Sequence, residues 1–140
     1  MSASHPIVMI VDDDPNSHFF AKRALSKGAG VNTFIQTWNG LEAIEWLQAF
    51  GTSGHRNVTH VLLDLAMPVM DGFEFLDAFS ALPDSCTKDI RVVLVSSSPN
   101  AEDHRKALSH GCVQAVFEKA LMPSDCPAIL GSSEYSGNFV

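Results

Sequence analysis

Ile7-Val8-Met9-Ile10-Val11-Asp12-Asp13-Asp14-Pro15 is the stretch whose reading decides the fold. Its apolar run is too short for a helix and stops abruptly at three acids, which suits a buried strand ending at a loop. Asp14-Pro15 then opens a helix, because aspartate is a favoured N-cap and proline suits the first helical position. Ser17, Phe20, Ala21, Ala24 and Leu25 recur at the spacing of one buried face, and Gly28 and Gly30 close the helix.

The same unit repeats along the chain. Thr33 to Trp38 is rich in β-branched and aromatic residues and predicts a second strand. Asn39-Gly40 leads into a helix with Leu41, Ile44, Leu47 and Phe50 as its apolar stripe. After the polar stretch from Gly51 to Asn57, the run from Val58 to Leu63 predicts a third strand that ends at Asp64. Met67 to Gly72 reads as a loop, with Asp71 capping a third helix marked by Phe75, Leu76 and Phe79 and Gly72 serving close packing. Ile90 to Val95 predicts a fourth strand ending at Ser96, Ser97 and Ser98. Asn100 then caps a helix that Gly111 should close in the left-handed conformation. Ala115 to Phe117 predicts a fifth strand delivering Glu118 and Lys119. Pro123, Pro127 and Gly131 leave room for a turn or two of helix at most, around Ala128 to Leu130.

Strands alternating with helices predict a doubly wound α/β domain, a five-stranded parallel sheet with helices on both faces. We expect one domain over 1–131 and a tail over 132–140. In such folds ligands bind beyond the carboxyl ends of the strands. Asp12, Asp13, Asp64, Ser96 and Lys119 all fall at those ends.

Composition narrows the function. A formal charge of −7 with only nine scattered basic residues excludes a nucleic-acid partner. No apolar run is long enough to span a bilayer, and the amino terminus lacks a signal-peptide layout, so no membrane partner and a cytoplasmic address are expected. Cys86, Cys112 and Cys126 are widely spaced and read as reduced thiols. The six histidines show no metal-ligand spacing and read as surface or loop residues. Phe19, Phe34, Phe73, Phe75, Phe79, Trp38 and Trp46 read as core or half-buried packing.

Three acids gathered at one rim need a cation, because two carboxylates ~4 Å apart repel by about 4 kcal/mol at an effective dielectric near 20. Oxygen ligands of this kind suit Mg²⁺, which binds through one or two carboxylates together with phosphate oxygens. An aspartate beside that ion can attack phosphorus, and Asp64 is the candidate nucleophile. The Ser96 hydroxyl and the Lys119 ammonium would each hold a phosphoryl oxygen.

Val11-Asp12-Asp13, Leu63-Asp64 with Met67-Pro68 and Asp71-Gly72, Val95-Ser96-Ser97, and Lys119 together resemble the receiver domain of bacterial response regulators. The resemblance spans roughly Ile7 to Leu121 and implies a flavodoxin-like receiver fold with a shortened fifth helix. It implies Asp12 and Asp13 as metal-binding acids, Asp64 as phosphoacceptor and Ser96 and Lys119 as switch and phosphate-sensing residues. Ala66 would offer its backbone carbonyl to the metal, with Ser97 and Val116 in secondary roles. It further implies a histidine kinase or phosphotransfer protein as phosphodonor and a downstream target protein that reads the face of the fourth helix, fifth strand and fifth helix. The chain looks like a stand-alone regulator of this type, with no enzymatic activity beyond its own phosphorylation and dephosphorylation.

Several residues depart from the family pattern. Ala120 stands where the family carries proline after its lysine; a non-proline cis bond costs about 3 kcal/mol, so a trans Lys119–Ala120 bond is expected. Val116 replaces the usual aromatic signal residue, and Ala66 replaces a frequent Asn. A shortened fifth helix should bare apolar sheet or fourth-helix surface, which a homodimer would cover. Two other functions fit parts of the sequence. One is a receiver-like binding module that works without phosphate. The other is a magnesium phosphatase of the haloacid dehalogenase type, whose D-x-D pattern Asp12-Asp13-Asp14 contains, although Asn16 stands where that type has Thr or Val.

Overall fold

The computed structural model describes residues 5–50, 58–97 and 100–130. The expectations for Gly51 to Asn57, for Ser98 and for the 132–140 tail lie outside the described residues. Five strands, β1 (Val8–Val11), β2 (Phe34–Thr37), β3 (His60–Leu63), β4 (Arg91–Ser96) and β5 (Val113–Glu118), form one parallel sheet in the order β2-β1-β3-β4-β5. The helices are α1 (Pro15–Ala29), α2 (Gly40–Phe50), α3 (Gly72–Ala81), α4 (Asp84–Thr87), α5 (Ala101–Leu108) and α6 (Cys126–Leu130), with a 3₁₀ turn at Pro123–Asp125 before the last. The doubly wound arrangement is the one the repeated strand and helix signals predict.

The strand pleat sends alternate residues to opposite layers. Met9, Val11, Val61, Leu63, Val92 and Leu94 point to one side, where Ile44 and Leu47 of α2 and Phe75, Leu76 and Phe79 of α3 cover them. Val8, Ile10, Leu62, Val93 and Val95 point to the other, against Ala21, Ala24 and Leu25 of α1 and Cys126, Ile129 and Leu130 of α6. This two-sided burial is why the strands read as continuous apolar runs and not as alternating ones.

Parallel register fixes what meets at the carboxyl ends. Val11 pairs with Leu63, and Leu63 with Leu94, so β1 and β3 end level with one another. Asp12 and Asp64 are therefore the next residue on two neighbouring strands, and the ladder continues as Asp64 N–H donates to the Val11 carbonyl at 3.0 Å. At β5 the register brings Ser96 opposite Glu118, which puts Lys119 one step beyond.

The caps follow the sequence signals. Asp14 accepts from Asn16 N–H at 2.9 Å at the start of α1, and Gly30 ends it in the left-handed region at φ 70°. Asp71 and Glu74 form a reciprocal capping box on α3. Gly72 packs directly on the strand end, since a Cβ there would lie 2.7 Å from the Asp64 carbonyl oxygen.

Other expectations are corrected. The buried stripe of α1 runs through His18, Ala21, Ala24 and Leu25, so Phe20 is half exposed and Phe19 more so. The helix is turned toward the chain end because Gly28 lets the Pro123 backbone close on it; a Cβ at Gly28 would collide with the Pro123 carbonyl. Leu41 and Phe50 are likewise exposed, and Gly40 and Ala43 take the inner positions of α2. His18 and His60 are fully buried, not surface residues, because each ring nitrogen facing backbone finds a carbonyl: Asp12 for His18 and Leu130 for His60. Gly111 does not adopt the left-handed conformation. Ser109 in the right-handed region caps α5, and turn hydrogen bonds from His110 and Val113 carry the chain onward.

The Lys119–Ala120 bond is cis, contrary to the trans expectation. That expectation weighed only the local peptide preference, whereas both flanks are held by tertiary contacts. Lys119 N–H donates to the Ser96 carbonyl at 3.0 Å, and Leu121 is buried against β4 and α1. Nor does the short last helix leave the sheet bare: Cys126, Ile129 and Leu130 fill the layer beside α1, each 1% exposed or less. The exposed apolar side chains on this side belong instead to Phe19, Phe20 and Met122.

Candidate functional site

The level ends of β1 and β3 bring three carboxylates together. One oxygen from each of Asp12, Asp13 and Asp64 lies within 4.8 Å of the other two. Asp12 and Asp64 are 4% and 7% exposed, whereas Asp13 is open to solvent. The Lys119 ammonium closes the group from β5, at 2.7 Å from Asp12 Oδ2 and 3.5 Å from Asp64 Oδ1. The second Asp12 oxygen accepts from Asp14 N–H at 2.9 Å.

The electrostatics are unbalanced, because one ammonium faces three carboxylates. Burial pushes the Asp64 carboxyl up to about 6; the Asp12 charge adds to the rise and the Lys119 ammonium opposes it. Burial works against the charge of Lys119 too, yet its hydrogen bond to Asp12 and the charge of Asp64 leave its pKa above the ordinary lysine value. A divalent cation is the natural complement of such a group. The donor set fits Mg²⁺: all ligand atoms are hard carboxylate oxygens, close enough to share an ion, with one acid facing water that the ion would retain.

Ser96 is buried at the end of β4, and its backbone carbonyl accepts from Lys119 N–H at 3.0 Å, which ties the hydroxyl-bearing residue to the lysine. Ser97 is exposed one step beyond, Ala66 is exposed in the loop after Asp64, and Val116 is half-buried on β5. The geometry thus gathers Asp12, Asp13, Asp64 and Lys119 directly and Ser96 through its backbone. Ser97, Ala66 and Val116 are not part of that hydrogen-bonded group. A cavity opens beside it, bounded by Asp12, Asp64 and Lys119 on one side and by Phe20, Val95 and Leu121 on the other.

Two supports escaped the reading of the sequence. Thr37, buried at the end of β2, donates from Oγ1 to the Ile10 carbonyl at 3.0 Å. His18, buried on α1, lies 2.9 Å from the Asp12 carbonyl through Nε2 and stacks on Trp38 with ring centroids 4.0 Å apart. His18 had a signal, since it precedes Ala21 and Leu25 by one and two helical turns on the inward stripe.

Among known proteins, the chain is 28% identical over 116 residues to a Vibrio cholerae protein named "Probable cyclic di-GMP phosphodiesterase", covering 83% of this chain and 24% of that one. It is also 28% identical over 113 residues to the two-component response regulator ORR1 of japonica rice, covering 79% of this chain and 48% of the relative. The chain therefore spans about a quarter of the first relative's length and about half of the second's. A two-component response regulator from Cytophaga hutchinsonii superposes with a TM-score of 0.82 at 23% identity, over 94% of this chain and 97% of that one, and so shares the fold. The family model described as the response regulator receiver domain matches residues 8–128, which contain every strand and the whole acidic rim. The parallel register that levels Asp12 with Asp64 and the match across all five strands lead to one assignment: the chain belongs to the response regulator receiver domain family of two-component signalling.

Proposed function

We propose that this chain is a phosphoacceptor switch, in which Asp64 takes up a phosphoryl group with the help of Mg²⁺ and the change alters a protein-docking surface. One observation carries the reading: three carboxylates within 4.8 Å of one another, with the Lys119 ammonium 2.7 and 3.5 Å from two of them. Structural carboxylates are seldom crowded this way at a nearly buried strand end, because a single ammonium offsets only part of the repulsion among three acids.

Asp12, Asp13 and Asp64, with the Ala66 carbonyl, would hold the ion, which when bound offsets negative charge on the acids and on the phosphoryl oxygens. The chemistry at this chain's own atoms is simple. A carboxylate oxygen of Asp64 forms a bond to phosphorus as the bond from phosphorus to the donor's oxygen or nitrogen breaks. The Lys119 ammonium, already beside Asp64, takes a phosphoryl oxygen, and the Ser96 hydroxyl takes another. Because the Lys119 and Ser96 backbones are hydrogen-bonded, both respond to the same new group. The phosphoryl group shifts the population only if it binds one arrangement better than the other.

As a member of its family the chain has a histidine kinase or phosphotransfer protein as donor and a target protein as reader. The receiver unit would occupy 1–131, with 132–140 as a tail. The test is to incubate the protein with acetyl phosphate and Mg²⁺ and weigh it intact. One added phosphoryl group, absent in Asp64→Ala and absent with EDTA, is expected. No added mass, or equal addition to Asp64→Ala, points instead to a binding module that works without phosphate.

A further inference from the structure

The Asp12 carbonyl stands one residue beyond the end of β1, at the start of the acidic turn, and a side chain from another element holds it. His18 Nε2 sits 2.9 Å away in a fully buried position. A carbonyl can only accept, so Nε2 carries the hydrogen. On the far side of the ring, His18 Nδ1 is 3.1 Å from Gln36 Nε2, and an amide nitrogen can only donate. The orientation of that amide is set in turn, because Gln36 Oε1 accepts from the Lys22 ammonium at 3.2 Å. A single-direction chain results: Lys22 donates to Gln36, Gln36 to His18, and His18 to Asp12. It selects one imidazole tautomer, and Trp38 stacks on the ring to fix its plane.

Resting on the metal-site reading above, we infer that His18 is a positioning residue for the metal-binding acids, holding the Asp12 carbonyl so that the Asp12 and Asp13 carboxylates project toward Asp64. The peptide unit that carries the Asp12 carbonyl is planar, so the torsions flanking that unit set how the Asp12 and Asp13 side chains stand relative to one another. The Asp12 N–H is already tied to the Thr37 carbonyl at 3.3 Å, so His18 restrains the other half of the residue. Without it a buried acceptor loses its partner and the turn is free to rotate toward another donor.

The test measures Mg²⁺ affinity by titration calorimetry on the whole chain, together with thermal stability, for wild type, His18→Phe, His18→Gln and Gln36→Leu. Phe keeps the ring against Trp38 but has no donor, and the longer amide of Gln can reach the carbonyl. The expected result is a Kd for Mg²⁺ weakened about tenfold in His18→Phe, the scale of one lost buried hydrogen bond. His18→Gln should restore it to within about twofold, and Gln36→Leu, exposed and safe for folding, should weaken it about threefold. A two-bond nitrogen–hydrogen correlation spectrum of wild type should show a protonated Nε2 and a bare Nδ1, a pattern that Gln36→Leu loosens. Equal Kd values in wild type, His18→Phe and Gln36→Leu, with only the melting temperature changed, overturn the positioning role and leave the metal site standing. Absence of Mg²⁺ binding in wild type itself overturns both. If His18→Phe does not fold, an unchanged Kd in Gln36→Leu together with a protonated Nδ1 in wild type is sufficient to reject the inference.

Discussion

Replacing Asp64 by Asn should make the metal-free protein more stable at neutral pH, although it removes the proposed phosphoacceptor. The Asp64 carboxyl has its pKa raised from 3.8 to about 6, first by burial and then by the Asp12 charge. A raised folded-state pKa means that the folded chain holds the proton more tightly than the unfolded chain. Stability from this group is then fully present below about pH 4, falls as pH rises between 4 and 6, and is lost above that. A folded value of about 6 against 3.8 corresponds to about 3 kcal/mol of penalty for the ionised group at pH 7.5. Asn has the same shape without the charge, and Lys119 keeps its shorter contact to Asp12 at 2.7 Å. Urea unfolding in EDTA should therefore show Asp64→Asn above wild type by as much as about 3 kcal/mol at pH 7.5, the gap closing as pH falls toward 4. Saturating Mg²⁺ should erase most of the gap from the wild-type side, since a ligand at 100 times its Kd stabilises by about 2.7 kcal/mol. Wild type and Asp64→Asn unfolding together at pH 7.5 in EDTA, or a gap that widens as pH falls, would refute the reasoning. The crowded carboxylates would then not be the source of the cost.

Two further perturbations probe the same rim. Lys119→Met leaves Asp12 and Asp64 facing each other without their ammonium, and with the lysine side chain 21% exposed the loss at pH 7.5 in EDTA should be about 2 kcal/mol; Mg²⁺ binding by calorimetry should tighten as one positive charge leaves, and weaker binding would contradict the charge balance described. Gly72→Ala would drive a Cβ to 2.7 Å from the Asp64 carbonyl oxygen, so a loss of about 1–3 kcal/mol in denaturant unfolding is expected, with a wild-type-like midpoint counting against the close packing.

The α1 surface beside the site bears on association, since Phe20 lines the cavity next to the acidic rim. Ile129 and Leu130 are already covered, so any self-association through α1 would draw on Phe19, Phe20 and Met122. Among the described residues no helix is long and apolar enough to cross a membrane.

Much of the rim was legible in the chain because its signal is local. A run such as Val58 to Leu63 announces a strand buried on both faces, and the acid that ends it announces the rim. Asp12, Asp64, Ser96 and Lys119 each stand where such a run stops, and cap chemistry at Asp14, Asp71 and Asn100 marked the helix starts independently of packing. These features follow from backbone preference and the hydrophobic period, which depend on neighbours a few residues apart.

What the tertiary structure decided depends on partners far away in the chain. That Asp12 and Asp64 lie level follows from the Val11 to Leu63 pairing, which no local pattern specifies. Hydrophobicity alone points Phe20 inward on α1, because it is more apolar than His18, yet His18 is 1% exposed and Phe20 49%. Packing against Pro123 at Gly28 and the hydrogen bond to the Asp12 carbonyl turned the histidine in and the phenylalanine out. The Lys119–Ala120 geometry and the sufficiency of α6 belong to the same class, each set by contacts between segments. Periodicity ranks residues by their own hydrophobicity. A buried polar side chain is stabilised by a particular acceptor, and only the folded chain brings that acceptor within reach.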